Sequence, residues 1–326
     1  MTATAAPARP AGPARSDDVR ISTMSRRRRV RDRLASVLMV VAFGVAVVPL
    51  GFVIVNVAQQ GLKVMSPGLL TRTIPPDTSS NDLSNDTIAK YGGTASTTET
   101  TAALGIGPAI VGTALTTLGA SALAIPLGIL GAIYLHEYGR RRRLARFVRF
   151  MTDVMVGVPS VVMGVFVYAI WVVPRGVGGR SALAASFALG CLMLPIVVRS
   201  TEEMLRLVPD TLREASAALG IRTWRTTVTV VLPAAAPGIV SGSMLAVARA
   251  AGETAPVLFT IGAAYRYNWG LSGGNTSLSL FIYNQASLTG ATSLRLAWAA
   301  ALTLITIVVV VTLIARTIST RATTLH

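Results

Sequence analysis

Six stretches of apolar residues are separated along the chain by polar segments. They lie near residues 34–58, 104–135, 147–173, 182–199, 233–261 and 296–315. Each stretch is long enough for an α-helix to cross the ~30 Å of hydrocarbon in a bilayer. The pattern predicts an all-α polytopic membrane protein with six transmembrane helices.

The composition agrees with a location in the bilayer. Of the 326 residues, 52% are hydrophobic and 13% are charged, whereas roughly 25% of the residues in soluble domains are charged. The first apolar run follows Arg26–Arg29 and has about 25 residues, which is longer than the roughly 7–15 apolar residues of a secretory signal. We therefore expect this run to be an uncleaved membrane anchor.

Basic residues are concentrated in alternate connections between the apolar runs. Arginine is dense before the first run, between the second and third, and between the fourth and fifth. Only seven of the 30 lysines and arginines lie in the other three connections. Because basic loops stay on the cytoplasmic side of a membrane, both termini and the loop between the fourth and fifth runs are expected in the cytoplasm of a bacterium.

The net charge of +16 raises the question of a nucleic-acid partner. The excess lies next to membrane spans rather than on a basic face of a soluble domain, which favours anionic lipid headgroups and argues against nucleic acid. Residues 1–33 have the composition of a disordered basic cytoplasmic tail. Residues 34–320 form the expected transmembrane domain, with a polar loop at 200–233.

A helix–turn–helix pattern lies within this polar loop. Thr211 and Glu214 have the spacing of a capping box, which predicts a helix that begins directly after Thr211. Gly220 suits the left-handed position that ends a helix. The apolar pattern restarts with Trp224 at helical spacing, until Pro233 closes the element where a membrane span begins. The predicted product is a compact projection that can seat in a groove of another protein.

The same loop resembles the EAA loop of permease subunits of ATP-binding-cassette importers. The family pattern is Glu-Ala-Ala, a glycine four residues after the second alanine, and then Ile-x-Leu-Pro, and here Ser216 and Val230 depart from it. The residues that agree are Glu214, Ala215, Gly220, Leu232 and Pro233. The resemblance implies coupling to an ATPase, whereas the residues alone also fit an ordinary amphipathic surface helix. The predicted coupling residues are Glu214, Ala215, Gly220, Thr211, Trp224 and Pro233.

The chain lacks the residues that nucleotide chemistry requires. Its two lysines, Lys63 and Lys90, do not fit the Gly-x-x-x-x-Gly-Lys-Ser/Thr pattern of a P-loop. The histidines, His136 and His326, and the single Cys191 leave little for acid–base or metal chemistry. The sequence therefore predicts no catalytic residue, no cofactor and no metal site, and it predicts that ATP is hydrolysed by a separate subunit.

Two charged residues, Arg249 and Glu253, lie four positions apart in the fifth apolar run. A charge in a membrane span costs about 2.5–3.5 kcal/mol on insertion scales, so each is a functional hypothesis. On one helix face they could simply neutralise each other. Alternatively, the guanidinium offers its planar fork of donors to a passing oxyanion while the carboxylate holds it. The second interpretation is favoured because buried ion pairs stabilise weakly.

Four segments resemble phosphate permease subunits of the PstA type. They are Ala248–Pro256, Gly112–Thr113, Ala124–Tyr138 and Gly157–Gly164. The resemblance implies the six-helix type I (MetI-like) importer fold and import of inorganic phosphate by alternating access. The implied partners are a second, PstC-like permease subunit, a PstB-like ATPase dimer and a PstS-like extracytoplasmic phosphate-binding protein.

The resemblance assigns anion contact to Arg249 and, as its partner, Glu253, with Thr254 as a weaker candidate. Another oxyanion, such as a phosphonate, sulfate or molybdate, remains an alternative substrate. A secondary carrier that works without ATP is a further alternative, although such a carrier would have no use for an EAA loop.

Small polar residues in the second and third apolar runs have two interpretations. Ser160 lies in a stretch rich in glycine and proline that could form a pore-lining kink, and Thr113 lies near the outer end of the second run. Both residues could instead serve close helix packing, which is the common use of small residues in membranes. Asp153 is expected to pair with Arg146 or Arg149 rather than to meet substrate.

The two long connections at 59–103 and 262–295 are polar and are predicted to face outward. They could meet a docked binding protein or simply cap the pathway. Within the second connection, residues 277–283 mix apolar and polar side chains in a way that predicts a short interfacial helix.

Overall fold

The computed structural model describes residues 26–74, 105–139, 142–288 and 290–323. The predictions for residues 1–25 and for residues 75–103 of the first outward connection lie outside the described residues. The chain divides at Ile54 into two compact units, and Val55–His326 is the larger. In the described ranges the regular structure is helical throughout, and no strand occurs there.

Most of the helices follow one another closely, and the two long connections lie before Gly107 and before Leu278. The α-helices are α1 Arg26–Val64, α2 Pro67–Thr71, α3 Gly107–Ile133, α4 Arg143–Gly157, α5 Ser160–Val167, α6 Val173–Arg175, α7 Ala182–Leu207, α8 Asp210–Ala218, α9 Thr223–Thr226, α10 Leu232–Gly252, α11 Ala255–Thr260, α12 Leu278–Ala286 and α13 Ala291–Thr323. The π-helical turns are Tyr134–Tyr138, Tyr168–Val172 and Thr227–Val231. The three π-helical turns directly follow α3, α5 and α9, so each of these helices continues beyond its last α-helical residue.

Among the described residues, five helical segments are long and apolar enough to cross a membrane. They are Val30–Val64, Gly107–Tyr138, Ala182–Leu207, Thr223–Gly252 and Ala291–Thr317. The bent pair Arg143–Gly157 and Ser160–Arg175 supplies a sixth span if it is counted as one. The all-α membrane prediction is confirmed, with five to six spans.

The predicted third span is not one straight helix. Its two halves, α4 and α5, meet at an angle of 105°. Val158 has extended backbone (φ −71°, ψ 128°) because the ring of the following Pro159 disfavours helical geometry at the residue before it. Proline also lacks the N–H that a continuous helix would need. The expectation of a single helix over 147–173 was therefore wrong.

The predicted fifth span is also interrupted. Helix α10 ends at Gly252, Glu253 is extended (φ −72°, ψ 129°), and α11 begins at Ala255. Pro256 explains the break, because a proline inside a helix leaves a carbonyl unpaired, whereas a proline in the first turn costs nothing. The two interrupted helices carry four of the predicted pathway residues, whereas the fifth, Thr113, lies in α3.

Close packing of small residues holds the long helices together. A Cβ atom added to Gly128 in α3 would lie 2.7 Å from Val197 Cγ1 in α7. A Cβ atom added to Gly242 in α10 would lie 2.6 Å from Ser200 in the same α7. Helix α7 thus packs closely against both α3 and α10, and its Leu189 and Met193 are buried in the hydrophobic core of the protein. Such close approach is the usual way in which membrane helices associate.

The helix predicted within 277–283 exists as α12, and its first turn is buried. Leu278, Leu280 and Phe281 belong to the buried residues. The backbone N–H of Leu278 donates to Thr113 Oγ1 over 2.8 Å, which ties α12 to α3. The short helix is confirmed, and its position at the membrane surface stays a prediction.

Candidate functional site

The break after α10 brings Arg249 and Glu253 together. Arg249 Nε donates to Glu253 Oε1 over 3.3 Å, and the two side chains are 66% and 20% exposed. Glu253 lies just past the helix end, and the two side chains form the ion pair that their spacing of four residues predicts. This hydrogen bond uses one of the five N–H donors of the guanidinium.

A second element holds the backbone of the break. Ser279 Oγ in α12 donates to the carbonyl oxygen of Glu253 over 2.9 Å, and it lies 3.1 Å from Ser277 Oγ. Ser277 in turn accepts the N–H of Leu280 and caps α12. The extended residue at the break is therefore fixed by a hydroxyl from elsewhere in the chain. The role of Ser279 could not be predicted from the sequence because its partner lies 26 positions away.

The bend between α4 and α5 lies against the other break. Ser160 is the first residue of α5 and is half-buried. One turn further on, a Cβ atom added to Gly164 would lie 2.6 Å from Pro256 Cα and 3.3 Å from the Ala255 carbonyl oxygen. Helix α5 therefore touches the backbone of α11, directly after the half-buried Thr254. Two interrupted helices meet in this region.

Thr113 is fully engaged in structural contacts. Its hydroxyl donates to the Ala109 carbonyl oxygen over 2.8 Å while it accepts the Leu278 N–H, and the residue is 4% exposed. These bonds favour the packing interpretation of Thr113 over direct contact with a substrate.

The coupling segment, which we define as residues 208–231, begins differently from the prediction. Helix α8 starts at Asp210 after Pro209, and no side chain caps it. Thr211 is already inside the helix, so the predicted capping box was wrong. Pro209 fixes the backbone at the entry, and a proline at this position removes an N–H that would have had no helical partner.

The end of α8 agrees with the prediction. Gly220 has φ +73°, which is a left-handed conformation that favours glycine. The N–H of Ile221 donates to the Ser216 carbonyl oxygen over 3.1 Å, and the N–H of Gly220 donates to that of Ala217 over 2.9 Å. These two bonds form a Schellman motif, so the role of Gly220 as the helix stop is confirmed.

Pro233 does not close an element. Helix α9, the π-helical turn Thr227–Val231 and α10 form one continuous apolar segment, and Pro233 lies in the first turn of α10. The wider π-helical turn makes room for the proline ring, which would clash with a carbonyl oxygen in a regular helix. The prediction of a helix end at Pro233 was therefore wrong.

The coupling segment exposes both apolar and polar side chains. Leu219 is 79% exposed and Trp224 is 57% exposed. Glu214 and Ala215 are exposed as well, whereas Ser216 is buried. Glu214 and Ala215 thus lie on a face of α8 that is exposed to solvent, and this face suits contact with another protein.

Ion pairs near the coupling segment differ from the prediction for Asp153. Asp153 pairs with Arg199 in α7, whereas Arg149 Nε pairs with Glu202 Oε1 over 2.7 Å. The expectation that Asp153 pairs with Arg146 or Arg149 was wrong, because oppositely charged side chains of α4 and α7 lie opposite one another.

In the described part of the chain, no group of three potential metal ligands gathers.

The chain is similar to a known family of transport proteins. The family described as "Binding-protein-dependent transport system inner membrane component" matches residues 124–324. The chain belongs to this family. As a member, it is a multi-pass protein of the bacterial inner membrane and a transporter permease subunit, which is not itself an enzyme.

Named relatives of this permease are phosphate transporters. "Phosphate transport system permease protein PstA 1" of Mycobacterium tuberculosis (strain ATCC 25618 / H37Rv) is 40% identical over 302 residues, which are 91% of this chain and 90% of the relative. "Phosphate transport system permease protein PstA" of Yersinia pestis is 37% identical over 292 residues, 89% of this chain and 90% of the relative. The predicted resemblance to PstA-type permeases is confirmed.

A solved structure supports the fold of the permease. An inward-facing conformation of the MetNI methionine ABC transporter aligns with a TM-score of 0.53 and 19% identity, over 66% of this chain and 93% of that chain. At this identity the likeness bears on the fold alone. The predicted MetI-like fold is confirmed.

Proposed function

We propose that this permease subunit translocates inorganic phosphate into a bacterial cell, by alternating access driven by ATP hydrolysis in partner subunits. The observation that carries the proposal is the identity of 37–40% with phosphate permeases over about nine-tenths of the chain.

The orientation follows from the distribution of basic residues. With both termini in the cytoplasm, the coupling segment also lies there, next to partners that hydrolyse ATP. We expect a PstB-like ATPase dimer to receive Glu214 and the exposed apolar residues around it. A PstC-like permease completes the pathway, and a PstS-like binding protein delivers phosphate from the opposite side. Membrane lipid surrounds the spans, and no nucleic acid takes part.

Arg249 is our candidate for the anion contact. A guanidinium binds an oxyanion through two parallel N–H bonds, and Arg249 is exposed with a single carboxylate partner at 3.3 Å. Glu253 holds the side chain and lowers its positive charge, which helps the anion to leave. Thr254 and Ser160 lie at the two neighbouring helix breaks and are weaker candidates, while Thr113 supports α12.

The test is phosphate uptake by the complete transporter reconstituted in vesicles. Arg249→Ala should lower uptake more than tenfold, because a hydrogen bond to a charged group contributes about 1.5–3 kcal/mol, while the complex remains assembled. Arg295→Ala, at an exposed arginine of α13, is the control and should transport normally. Unchanged uptake in Arg249→Ala would remove the anion role, and stronger competition by sulfate or molybdate than by phosphate would change the substrate.

A further inference from the structure

Arg213 in the coupling segment points inward rather than toward a partner. Its side chain is 15% exposed, and its Nη2 donates to Glu137 Oε1 over 3.0 Å while Nε lies 3.3 Å from the same oxygen. Glu137 is 6% exposed and belongs to the π-helical turn Tyr134–Tyr138 that ends the second span. The coupling helix α8 is thus joined to that turn by a largely buried ion pair.

The same guanidinium also binds the end of α7. Nη2 donates to the Leu205 carbonyl oxygen over 2.9 Å, and Nη1 donates to the Val208 carbonyl oxygen over 2.8 Å and to Asp210 over 3.0 Å. The last carbonyls of a helix have no partner within the helix, so Arg213 supplies donors that α7 lacks. One side chain therefore holds α8 to two spans.

A second arginine grips the same π-helical turn from the other side. Arg149 in α4 donates through Nη2 to the Leu135 carbonyl oxygen over 2.8 Å and through Nε to Glu202 over 2.7 Å. Leu135 lies two positions before Glu137. Helix α4 continues into the bend at Ser160, and α5 beyond it contacts Pro256 beside the break at Glu253.

The ion pairs of Arg213 and Arg149 differ from ordinary surface ion pairs in the burial of their carboxylates. Exposed bridges contribute little and their side chains are solvated, whereas Glu137 and Glu202 are 6% and 3% exposed. Burying such carboxylates is costly unless their partners are in place, so the position of α8 and the position of the turn depend on each other. π-Helical turns are frequent at functional sites, and Glu137 belongs to one of them.

We infer that Arg213 and Glu137 form a clasp that passes movement of α8 to the π-helical turn, and that Arg149 passes it on to α4 and the helix breaks. Arg213, Glu137 and Arg149 are positioning residues: they act on the anion site through other groups. This inference rests on the proposed function, because it concerns how hydrolysis by a partner reaches the pathway.

The test measures ATP hydrolysed per phosphate transported, in the complete transporter in vesicles with its binding protein. Arg213→Gln and Glu137→Gln should each raise this ratio by about tenfold while the ATPase stays bound. The double variant should match the worse single variant within about threefold, because both changes break one contact. Arg142→Glu, at an exposed arginine beside α4, is the control and should keep the wild-type ratio.

Three results would overturn the clasp. One is a wild-type ratio in both single variants, another is a double variant whose defect is the product of the two singles, and the third is simple loss of the ATPase from every variant. If Arg213→Gln does not assemble, Arg213→Lys and Glu137→Gln decide the matter, and unchanged ratios in both count against the clasp. A wild-type complex that hydrolyses ATP but accumulates no phosphate would instead contradict the proposed function.

Discussion

Two arginines in this permease show opposite solutions to carrying a charge near a membrane. Arg213 is largely buried, and its donors are taken by two carboxylates and two backbone carbonyl oxygens. Arg249 is 66% exposed and reaches one carboxylate at 3.3 Å. The first side chain is held in one place and suits the transfer of movement. The second keeps donors free, which suits an anion that must bind and then leave.

The surroundings of the two arginines differ in the same sense. Around Arg213 the side chain itself bonds to the end of α7 and to the π-helical turn Tyr134–Tyr138, and α8 ends in the Schellman motif at Gly220. Around Arg249 two helices are interrupted, and their backbones touch at Gly164 and Pro256. A region with interrupted helices can change shape at low cost, whereas a region with every donor paired moves as one body.

The largest effect is expected where the two interrupted helices touch. Gly164→Ala would place a methyl group 2.6 Å from Pro256 Cα, and because this neighbour is backbone, α5 and α11 must separate. We expect uptake to fall at least tenfold while the ATPase remains bound. Gly157→Ala is the matched control, since a methyl group there meets nothing within 4 Å. Equal uptake by the two variants would mean that the contact of the breaks does not matter for transport.

A smaller effect is expected at the end of the coupling helix. Gly220→Ala adds a methyl group in open space but forces a left-handed backbone (φ +73°), which costs roughly 1–2 kcal/mol for a residue with a Cβ. Binding of the ATPase to the permease should weaken several-fold, as measured by titration in detergent. Gly44→Ala in α1 adds the same group in regular helix without contacts and should bind normally. A variant at Gly220 that binds as tightly as wild type would separate the helix stop from ATPase docking.

The sequence predicts the regular parts of this molecule better than its irregular ones. Apolar length is a local property, so the spans could be located, and Gly220 could be recognised because a left-handed helix stop depends on one residue. Pro159 and Pro256 signal interruptions, but the 105° bend depends on what α5 packs against. The sequence cannot indicate that packing.

The clasp shows the limit most clearly. Arg213 and Glu137 are 76 positions apart; in the sequence Arg213 is one charge among several in a basic loop, and Glu137 is a carboxylate at the end of an apolar run. Only the fold brings them together. The residues Arg249 and Glu253 could be singled out because a charge within an apolar run is unusual in itself, although their exposure and the helix end between them could not be foreseen.

The smallest effect is expected from the hydroxyl that holds the break. Ser279→Ala removes the hydrogen bond to the Glu253 carbonyl oxygen, worth about 1 kcal/mol, together with the hydroxyl contact to Ser277, and leaves the ion pair with Arg249 in place. Phosphate uptake should fall about two- to fivefold, because the break becomes looser and Arg249 is less well placed. Ser287→Ala removes a hydroxyl that bonds only within its own turn, to the Tyr283 carbonyl oxygen, and should leave uptake unchanged. If Ser279→Ala instead transported faster than wild type, the hydrogen bond from Ser279 would slow transport by restraining the helix break at Glu253. The mobility of the region around Arg249, rather than the position of Arg249, would then limit the rate of transport.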